Sequence, residues 1–343
     1  MKIELDMYQT LAVAVLVLML GKFLRARVQV LERFCIPAPV IGGVLFAIFT
    51  CVCYVTGVAE FAFDDILKEV CMVMFFTSVG FQANLKVLKS GGRAMIVFLG
   101  VVIVLIVSQN FVAVGLAKLL GVDALVGLCT GSIPMVGGHG TAGAFGPVLV
   151  EEEMKHERHT TMYPAASFQL IVAMGIGTVL SRLLSLTGMT FPIYIGAMIA
   201  AAIIRNVGEY GGGYTVYMGE INDIGGICLS LFLGMAMITL KLWQLAELAL
   251  PLIVLLAGQT LFMILYVVLV VFNIMGRDYD AAVIVSGTCG FGMGATPNAM
   301  ANMQAICDKY SPSVKAYLLI PLVGSLFADF LNSLVITVFI NFI

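Results

Sequence analysis

The chain has 343 residues, of which 61% are hydrophobic and only 11% are charged, against about 25% charged residues in an ordinary soluble domain. This composition excludes a soluble globular protein and predicts an integral membrane protein. The net charge of −2 says nothing about acidic or basic partners. No basic cluster in the sequence suggests nucleic acid as a partner. The eight cysteines are mostly single and lie within apolar runs, so they are interpreted as structural thiols and not as metal ligands.

Nine apolar runs are long enough to cross about 30 Å of hydrocarbon as helices. In chain order they are predicted at 8–24, 36–56, 66–83, 95–119, 165–186, 190–205, 224–241, 245–274 and 314–343. The first run begins after Asp6 and lacks a basic leader and a small-residue cleavage site. It is therefore interpreted as a retained span, and the fold class is predicted to be all-α.

Two glycine-rich segments interrupt this apolar sequence, at 124–150 and at 281–306. Pro134 lies within the first and Pro297 within the second. Irregular backbone at membrane depth survives only where protein buries it or where it lines a wet cavity, because its polar groups need partners. We therefore predict that both segments are broken, re-entrant helices that line a binding site.

The two segments belong to a duplication with a constant offset of 155 residues. This offset relates Pro37 to Pro192, Lys86 to Lys241, Gly137 to Gly292 and Thr141 to Thr296. Residues 1–158 form the first predicted repeat and residues 159–343 the second.

Loop charges indicate how the repeats are oriented. Seven cations follow the first and third spans, namely Lys22, Arg25, Arg27, Arg33, Lys86, Lys89 and Arg93, whereas the equivalent loops of the second half hold only Arg182 and Lys241. Under the positive-inside rule the first set is cytoplasmic and the second is not. The sequence thus predicts an inverted repeat with the N-terminus outside.

An inverted repeat needs an odd number of crossings between equivalent points. If 124–150 dips in and returns, the first half has only four crossings, because the polar stretch 151–158 leads directly into the next apolar run. Either the segment through Gly137 crosses fully as two half-helices, or a fifth crossing and its linker are absent.

The chain resembles the bacterial sodium:glutamate symporter family in its motifs and their order. The matching residues are Gly131-Ser132, Gly137-Gly-His-Gly-Thr141, Asp280-Ala-Ala282, Cys289-Gly-Phe-Gly-Met-Gly-Ala-Thr-Pro297, Ala301-Asn-Met-Gln304, Leu229-Ser-Leu-Phe-Leu233, Leu240-Lys-Leu-Trp243, Asp329 and Asn332. The chain departs from the family because it lacks the fifth crossing and the polar central linker that the family carries after the first glycine segment.

The resemblance implies a secondary transporter, not an enzyme, that couples inward sodium movement to L-glutamate uptake across the bacterial inner membrane. It implies two re-entrant loops that meet at the translocation path, no cofactor besides the coupling sodium ion, and a homodimer.

A glutamate site needs N–H donors and positive potential, which the N-termini of broken helices supply, and glycine lets the backbone approach the ligand. The predicted substrate-binding residues are Gly137, Gly138, His139, Gly140, Thr141, Gly292, Gly294, Ala295, Thr296, Pro297 and Asn298. Tight helix packing through small residues is the alternative explanation for the glycines. His139 is equally open to a structural hydrogen bond, to carboxylate binding and to a proton-shuttle role.

Sodium prefers oxygen ligands from carbonyls, hydroxyls, amides or a carboxylate. Asp329 lies within the last apolar run, where a buried charge is costly and therefore suggests function, and Asn332 follows on the same helical face. Together with the hydroxyls of Ser132 and Thr288 they are the predicted sodium ligands. The other buried polar pairs, Thr77/Ser78, Gln109/Asn110 and Gln259/Thr260, are interpreted as helix-packing contacts, and Arg205 as an anchor at the membrane interface.

Two alternatives stay open at this point. A transporter of a di- or tricarboxylate or hydroxy acid, coupled to sodium or protons, would use the same broken-helix architecture. An intramembrane hydrolase is a remote alternative, because the sequence contains neither a Gly-x-Ser-x-Gly elbow nor a His-Glu-x-x-His helix.

Overall fold

A computed structural model describes residues 2–28, 31, 36–85, 92–128, 130–136, 162–186, 193–211, 214–243, 249–294, 296–311 and 313–342. Its first part comprises strand β1 (Lys2–Leu5), α1 (Met7–Arg27), α2 (Ala38–Val55), strand β2 (Glu60–Phe63), α3 (Ile66–Gln82), α4 (Gly92–Leu119), α5 (Ala124–Leu128) and α6 (Ser132–Met135). The rest comprises α7 (Tyr163–Ser185), α8 (Ile193–Gly211), α9 (Met218–Ile238), α10 (Ala249–Tyr266), α11 (Phe272–Met275), α12 (Tyr279–Gly292), α13 (Thr296–Lys309), α14 (Val314–Val323) and α15 (Asp329–Phe342).

Helices occupy all nine predicted spans. Among the described residues, six helical segments are long and apolar enough to cross a membrane: 7–27, 38–55, 92–119, 163–185, 218–238 and 249–275. Of the others, α3 has 17 residues, and Ile193–Gly208 and Phe330–Ile340 are shorter apolar helices. The coarse prediction of a helical membrane protein is therefore confirmed.

Two long helices contain a π-helical turn. Val267–Val271 joins α10 to α11, and Gly324–Ala328 joins α14 to α15. Such turns insert a wider ring into the hydrogen-bond ladder and occur frequently at functional sites. The second one ends immediately before Asp329.

Local sequence explains several helix ends. Asp6 caps α1, accepting hydrogen bonds from the N–H groups of Tyr8 and Gln9, while the Gln9 side chain accepts the Asp6 N–H. This reciprocal capping box satisfies donors that the first turn would otherwise leave unpaired. Proline occupies the first turn of α2 and of α7, where its missing N–H costs no hydrogen bond.

The chain divides into two compact units. Unit 1 contains Met1–Phe75 and Ile224–Leu250, and unit 2 contains Phe76–Asp223 and Pro251–Ile343. Within unit 1, β1 and β2 pair in parallel with Lys2 opposite Glu60. The core of unit 1 includes Ala14 and Val17 of α1 together with Met235 and Ile238 of α9.

The first two helices of each predicted repeat pack through glycines. In unit 1, a Cβ added at Gly42 would lie 2.0 Å from the Val17 carbonyl oxygen. In unit 2, a Cβ added at Gly196 would lie 2.1 Å from the Gly177 carbonyl oxygen. These approaches are to backbone atoms, so each crossing requires glycine.

The main core lies in unit 2, where α4 packs against α10, α12 and α14. It contains large, fully buried side chains such as Phe98, Leu105 and Phe291. This apolar core surrounds the buried polar residues that form the candidate site.

Candidate functional site

The second glycine-rich segment forms a helical hairpin in unit 2. The helix breaks between Gly292, the last residue of α12, and Thr296, the first residue of α13. The Asn302 amide donates to the Ser286 carbonyl at 3.4 Å, and the Tyr279 hydroxyl donates to the Ser311 carbonyl. Residues near the start of α12 thus meet residues near the end of α13, so the two helices pack as an antiparallel hairpin.

Gly292 is buried at the break and makes two kinds of contact. A Cβ there would lie 2.4 Å from Met263 Cε, which is the tight packing that the sequence left as an alternative explanation. Its carbonyl oxygen accepts a hydrogen bond from Gln109 Nε2 at 2.8 Å. The glycine therefore brings a backbone oxygen to a polar side chain in the core.

Of the other predicted substrate residues in this segment, the structure describes Gly294 and the backbone of 296–298. Gly294 is half-buried in the turn. Thr296, Pro297 and Asn298 open α13, and proline fits there because first-turn N–H groups have no acceptor within the helix. Ala295 and the side chains of 296–298 lie outside the described residues.

The first glycine-rich segment is described only at its start. Within the described residues 124–128 and 130–136 it contains the short helices α5 and α6. Gly137, Gly138, His139, Gly140 and Thr141 lie outside the described residues, so their predicted roles remain predictions.

Ser132 and Asn332, two of the predicted sodium ligands, are brought together by a third residue. The Asn110 carbonyl oxygen Oδ1 accepts hydrogen bonds from Ser132 N at 3.0 Å and from Ser132 Oγ at 2.9 Å. Asn332 Nδ2 donates to the Ser132 carbonyl at 3.0 Å. This cluster ties α4, α6 and α15 together within the core.

A glycine permits this arrangement. A Cβ added at Gly131 would lie 2.7 Å from Asn110 Oδ1. Any larger residue at 131 would push the asparagine away from Ser132, so the Gly131-Ser132 pair has a physical reason in this structure.

Thr288, another predicted sodium ligand, makes its hydrogen bond within its own helix and not with that cluster. Thr288 is fully buried in α12, and its hydroxyl donates to the Ile284 carbonyl at 2.7 Å, leaving its oxygen lone pairs available. Asp329 is the first residue of α15, and its side chain lies outside the described residues.

Buried amides that the sequence assigned to packing belong to this polar region. Gln109 and Asn110 lie in the middle of α4 and Gln259 in the middle of α10, and all three are fully buried. Four amide atoms have no hydrogen-bond partner among the described residues: Gln109 Oε1, Asn110 Nδ2, Gln259 Oε1 and Asn332 Oδ1. In the sequence, these buried amides could have been recognised by their position at the centre of apolar runs.

The buried polar side chains that the structure describes in this region are neutral, namely Gln109, Asn110, Ser132, Gln259, Thr288 and Asn332. The described residues contain no group of three or more histidine, cysteine, aspartate or glutamate side chains that would hold a metal ion. Neutral oxygens suit a weakly held, exchangeable monovalent ion.

A cavity of about 500 Å³ in unit 1 is a competing candidate. It is lined by the ends of α2 and α9 and by β2, including Tyr54, Trp243, Lys241 and the Lys68–Asp65 ion pair. None of the predicted ligand residues lines it. We place the candidate site in the core of unit 2, because buried amide atoms there have no hydrogen-bond partner among the described residues.

Comparison with known proteins decides the family. The profile of the sodium/glutamate symporter family matches residues 3–172 and 165–312. The chain belongs to this family. It is 35% identical to the sodium/glutamate symporter of Escherichia coli (strain K12), with 98% of each chain covered. It is 33% identical to that of Haemophilus influenzae, with 96% of each chain covered.

Family membership establishes the functional class of this protein. It is a membrane transporter and not an enzyme. Its apolar helices and bacterial relatives make it a multi-pass protein of the bacterial inner membrane. No solved structure matches the chain significantly.

Proposed function

We propose that this protein takes up L-glutamate together with sodium ions by alternating access. The observation that carries the proposal is the near full-length similarity to two proteins named sodium/glutamate symporter. The broken helical hairpin in unit 2 supports it, because discontinuous helices present backbone dipoles and carbonyls to substrate and coupling ions.

Alternating access requires two related halves, and the helix boundaries support an inverted repeat. Shifting α2 and α3 by 155 residues places them on α8 and α9 to within a few residues. The same shift places α4 on α10 and α11. The loop charges add the inverted orientation, with the N-terminus outside.

Packing between the proposed halves is also reciprocal. In unit 1, Gly43 of α2 contacts Met237 of α9, and in unit 2, Gly80 of α3 contacts Met198 of α8. Gly43 and Met198 are 155 residues apart, so the second helix of each half packs on the third helix of the other half. A two-fold axis in the membrane plane would produce this exchange.

The missing crossing is part of the proposal. The alignment with the Escherichia coli protein spans 392 positions, more than the 343 residues of this chain, so the relative carries residues that this chain lacks. The family profile matches in two pieces that overlap at 165–172, which supports a deletion near that point. We propose that a fifth crossing and its linker are absent from repeat 1–158.

We assign roles to the predicted residues on this basis. The glycine segments 137–141 and 292–298 bind the carboxylates of glutamate through backbone amides. Ser132, Thr288, Asp329 and Asn332 supply oxygens to sodium, and the Asn110–Ser132–Asn332 hydrogen bonds hold two of them in place. We also propose a homodimer, which native mass spectrometry of the purified protein would test.

The function is tested by uptake of labelled L-glutamate into proteoliposomes. An inward sodium gradient should drive accumulation, whereas an equal potassium gradient should not. Unlabelled L-glutamate should compete, and di- and tricarboxylates and hydroxy acids should not. Equal uptake with sodium and potassium would refute the coupling, and displacement by hydroxy acids would refute the substrate. Asp329→Asn should weaken the sodium dependence.

A further inference from the structure

Two glutamines in the apolar core of unit 2 have incompletely satisfied amides. Gln109 of α4 and Gln259 of α10 are both fully buried, among neighbours such as Leu105, Met263 and Phe291. Burying an amide in such surroundings is costly unless its polar atoms find partners. Here each nitrogen has a partner and each oxygen lacks one among the described residues.

Backbone carbonyls fix the orientation of both amides. Gln259 Nε2 donates to the Gln109 main-chain oxygen at 2.7 Å, and Gln109 Nε2 donates to the Gly292 carbonyl at 2.8 Å. A carbonyl can only accept, so rotating either amide would oppose two oxygens. Both Oε1 atoms therefore have to face away from these carbonyls.

The third oxygen of this group is a helix end. Gly292 is the last residue of α12, and the final carbonyls of a helix carry the negative end of its dipole. Side chains from α4 and α10 thus meet the carboxyl end of the first hairpin helix through one chain of hydrogen bonds. Acceptor oxygens outnumber donors here, which favours a cation.

We propose that Gln109 Oε1 and Gln259 Oε1, beside the Gly292 end of α12, form a sodium site at the break of the hairpin. The ligands are the two neutral amide oxygens, which suit a monovalent ion better than a divalent ion, because divalent ions prefer carboxylates. The inference rests on the proposed sodium coupling and adds residues that the sequence assigned to packing.

A sodium ion at this position would explain how sodium binding favours glutamate binding. A cation shared by α4, α10 and the end of α12 stabilises the hairpin break in one position. Without the ion, the two glutamine oxygens are unpaired and the break loses that restraint. Sodium binding thereby prepares the neighbouring loop 292–298 for the substrate.

Sodium titrations of glutamate uptake test the site directly. Gln109→Met and Gln259→Met keep the side-chain length and remove the oxygen. Each should raise the sodium concentration that gives half-maximal uptake by at least about tenfold. The glutamate KM at saturating sodium should change less than about threefold. The matched control is Gln169→Met, because Gln169 has both amide ends bonded to backbone atoms of residues 215 and 217; its half-saturating sodium should stay within about twofold.

A rescue variant separates ion binding from structure. Gln259→Glu keeps an oxygen but loses the donor to the Gln109 carbonyl, so at pH 8 it should restore sodium affinity to at least the wild-type level. If only the donor matters, Gln259→Glu will be as impaired as Gln259→Met, and the proposal is wrong.

Hydrogen exchange can be measured on the wild-type protein, so this test does not depend on whether a variant folds. Adding sodium chloride in place of choline chloride, without glutamate, should slow amide exchange around 107–111 and 288–294. No sodium-dependent protection there, or unchanged sodium affinity in both methionine variants, would mean that water fills the site and overturns the inference. Wild-type uptake that ignores sodium would instead overturn the proposed function.

Discussion

Buried amides in two regions of unit 2 differ in how fully their hydrogen bonds are satisfied. Gln169 of α7 donates to the Thr215 carbonyl at 2.7 Å and accepts from Tyr217 N at 3.3 Å. Asn110, Asn332 and the two core glutamines each leave one amide atom unpaired among the described residues. Polarity within an apolar helix is common to both regions, so the unpaired atom, and not the polarity, distinguishes a binding site from a structural contact.

The largest expected effect comes from Asn110→Leu. It leaves the Ser132 N–H and hydroxyl without their acceptor, and an unsatisfied buried donor costs about 1–3 kcal/mol. We expect uptake to be nearly lost and thermal stability in detergent to fall. The control is Asn206→Leu, which removes the bonds from Asn206 to the Ala83 carbonyl and from Leu85 N to Asn206. It should lower stability but leave the sodium dependence of the remaining uptake intact.

Asn332→Ala should have the next largest effect. It removes the unpaired Oδ1 and the bond to the Ser132 carbonyl, so half-saturating sodium should rise about tenfold, equivalent to about 1.4 kcal/mol. Thr337→Val on the same helix is the control, because the Thr337 hydroxyl bonds the Ser333 carbonyl of its own helix. A sodium titration of uptake that shows equal curves for both variants contradicts a ligand role for Asn332.

Thr288→Val should produce a smaller change. The hydroxyl already donates to Ile284 within α12, so only its lone pairs are available to an ion, and we expect about a threefold rise in half-saturating sodium. Thr260→Val is the matched control, because the Thr260 hydroxyl bonds the Leu256 carbonyl in the same way but Thr260 is exposed. If neither variant differs from wild type, the Thr288 hydroxyl serves only its own helix.

The smallest effect on transport should come from Gln169→Met. Its loss breaks two satisfied bonds and should lower the free energy of unfolding by about 1–2 kcal/mol. Thermal denaturation should report that loss, while the sodium and glutamate dependence of uptake stay at wild-type values. A large change in sodium affinity would erase the distinction between the satisfied and unsatisfied amides.

Part of the site was predictable because it rests on local chemistry. The break at 292–296 follows from glycine density and Pro297, and the pairing of Ser132 with Asn332 joins two residues that the sequence nominated separately. Asn110 could not be nominated as their link, because hydrogen bonds between residues 22 and 200 positions apart depend on how the helices pack. The hydrogen bonds of Gln109 and Gln259 to other helices agree with the packing interpretation, and their role in sodium binding is a proposal.

The sequence by itself determined the membrane class, the nine helical segments, the position of the second glycine break and the family, because composition, apolar length and motif order are properties of the chain alone. The tertiary structure decided that α12 and α13 form a hairpin, that Gly292 packs on Met263, and which amide atoms stay unpaired. Those features depend on the directions of side chains from different helices. Apolar periodicity does not encode these directions, since any face of a membrane helix can be apolar.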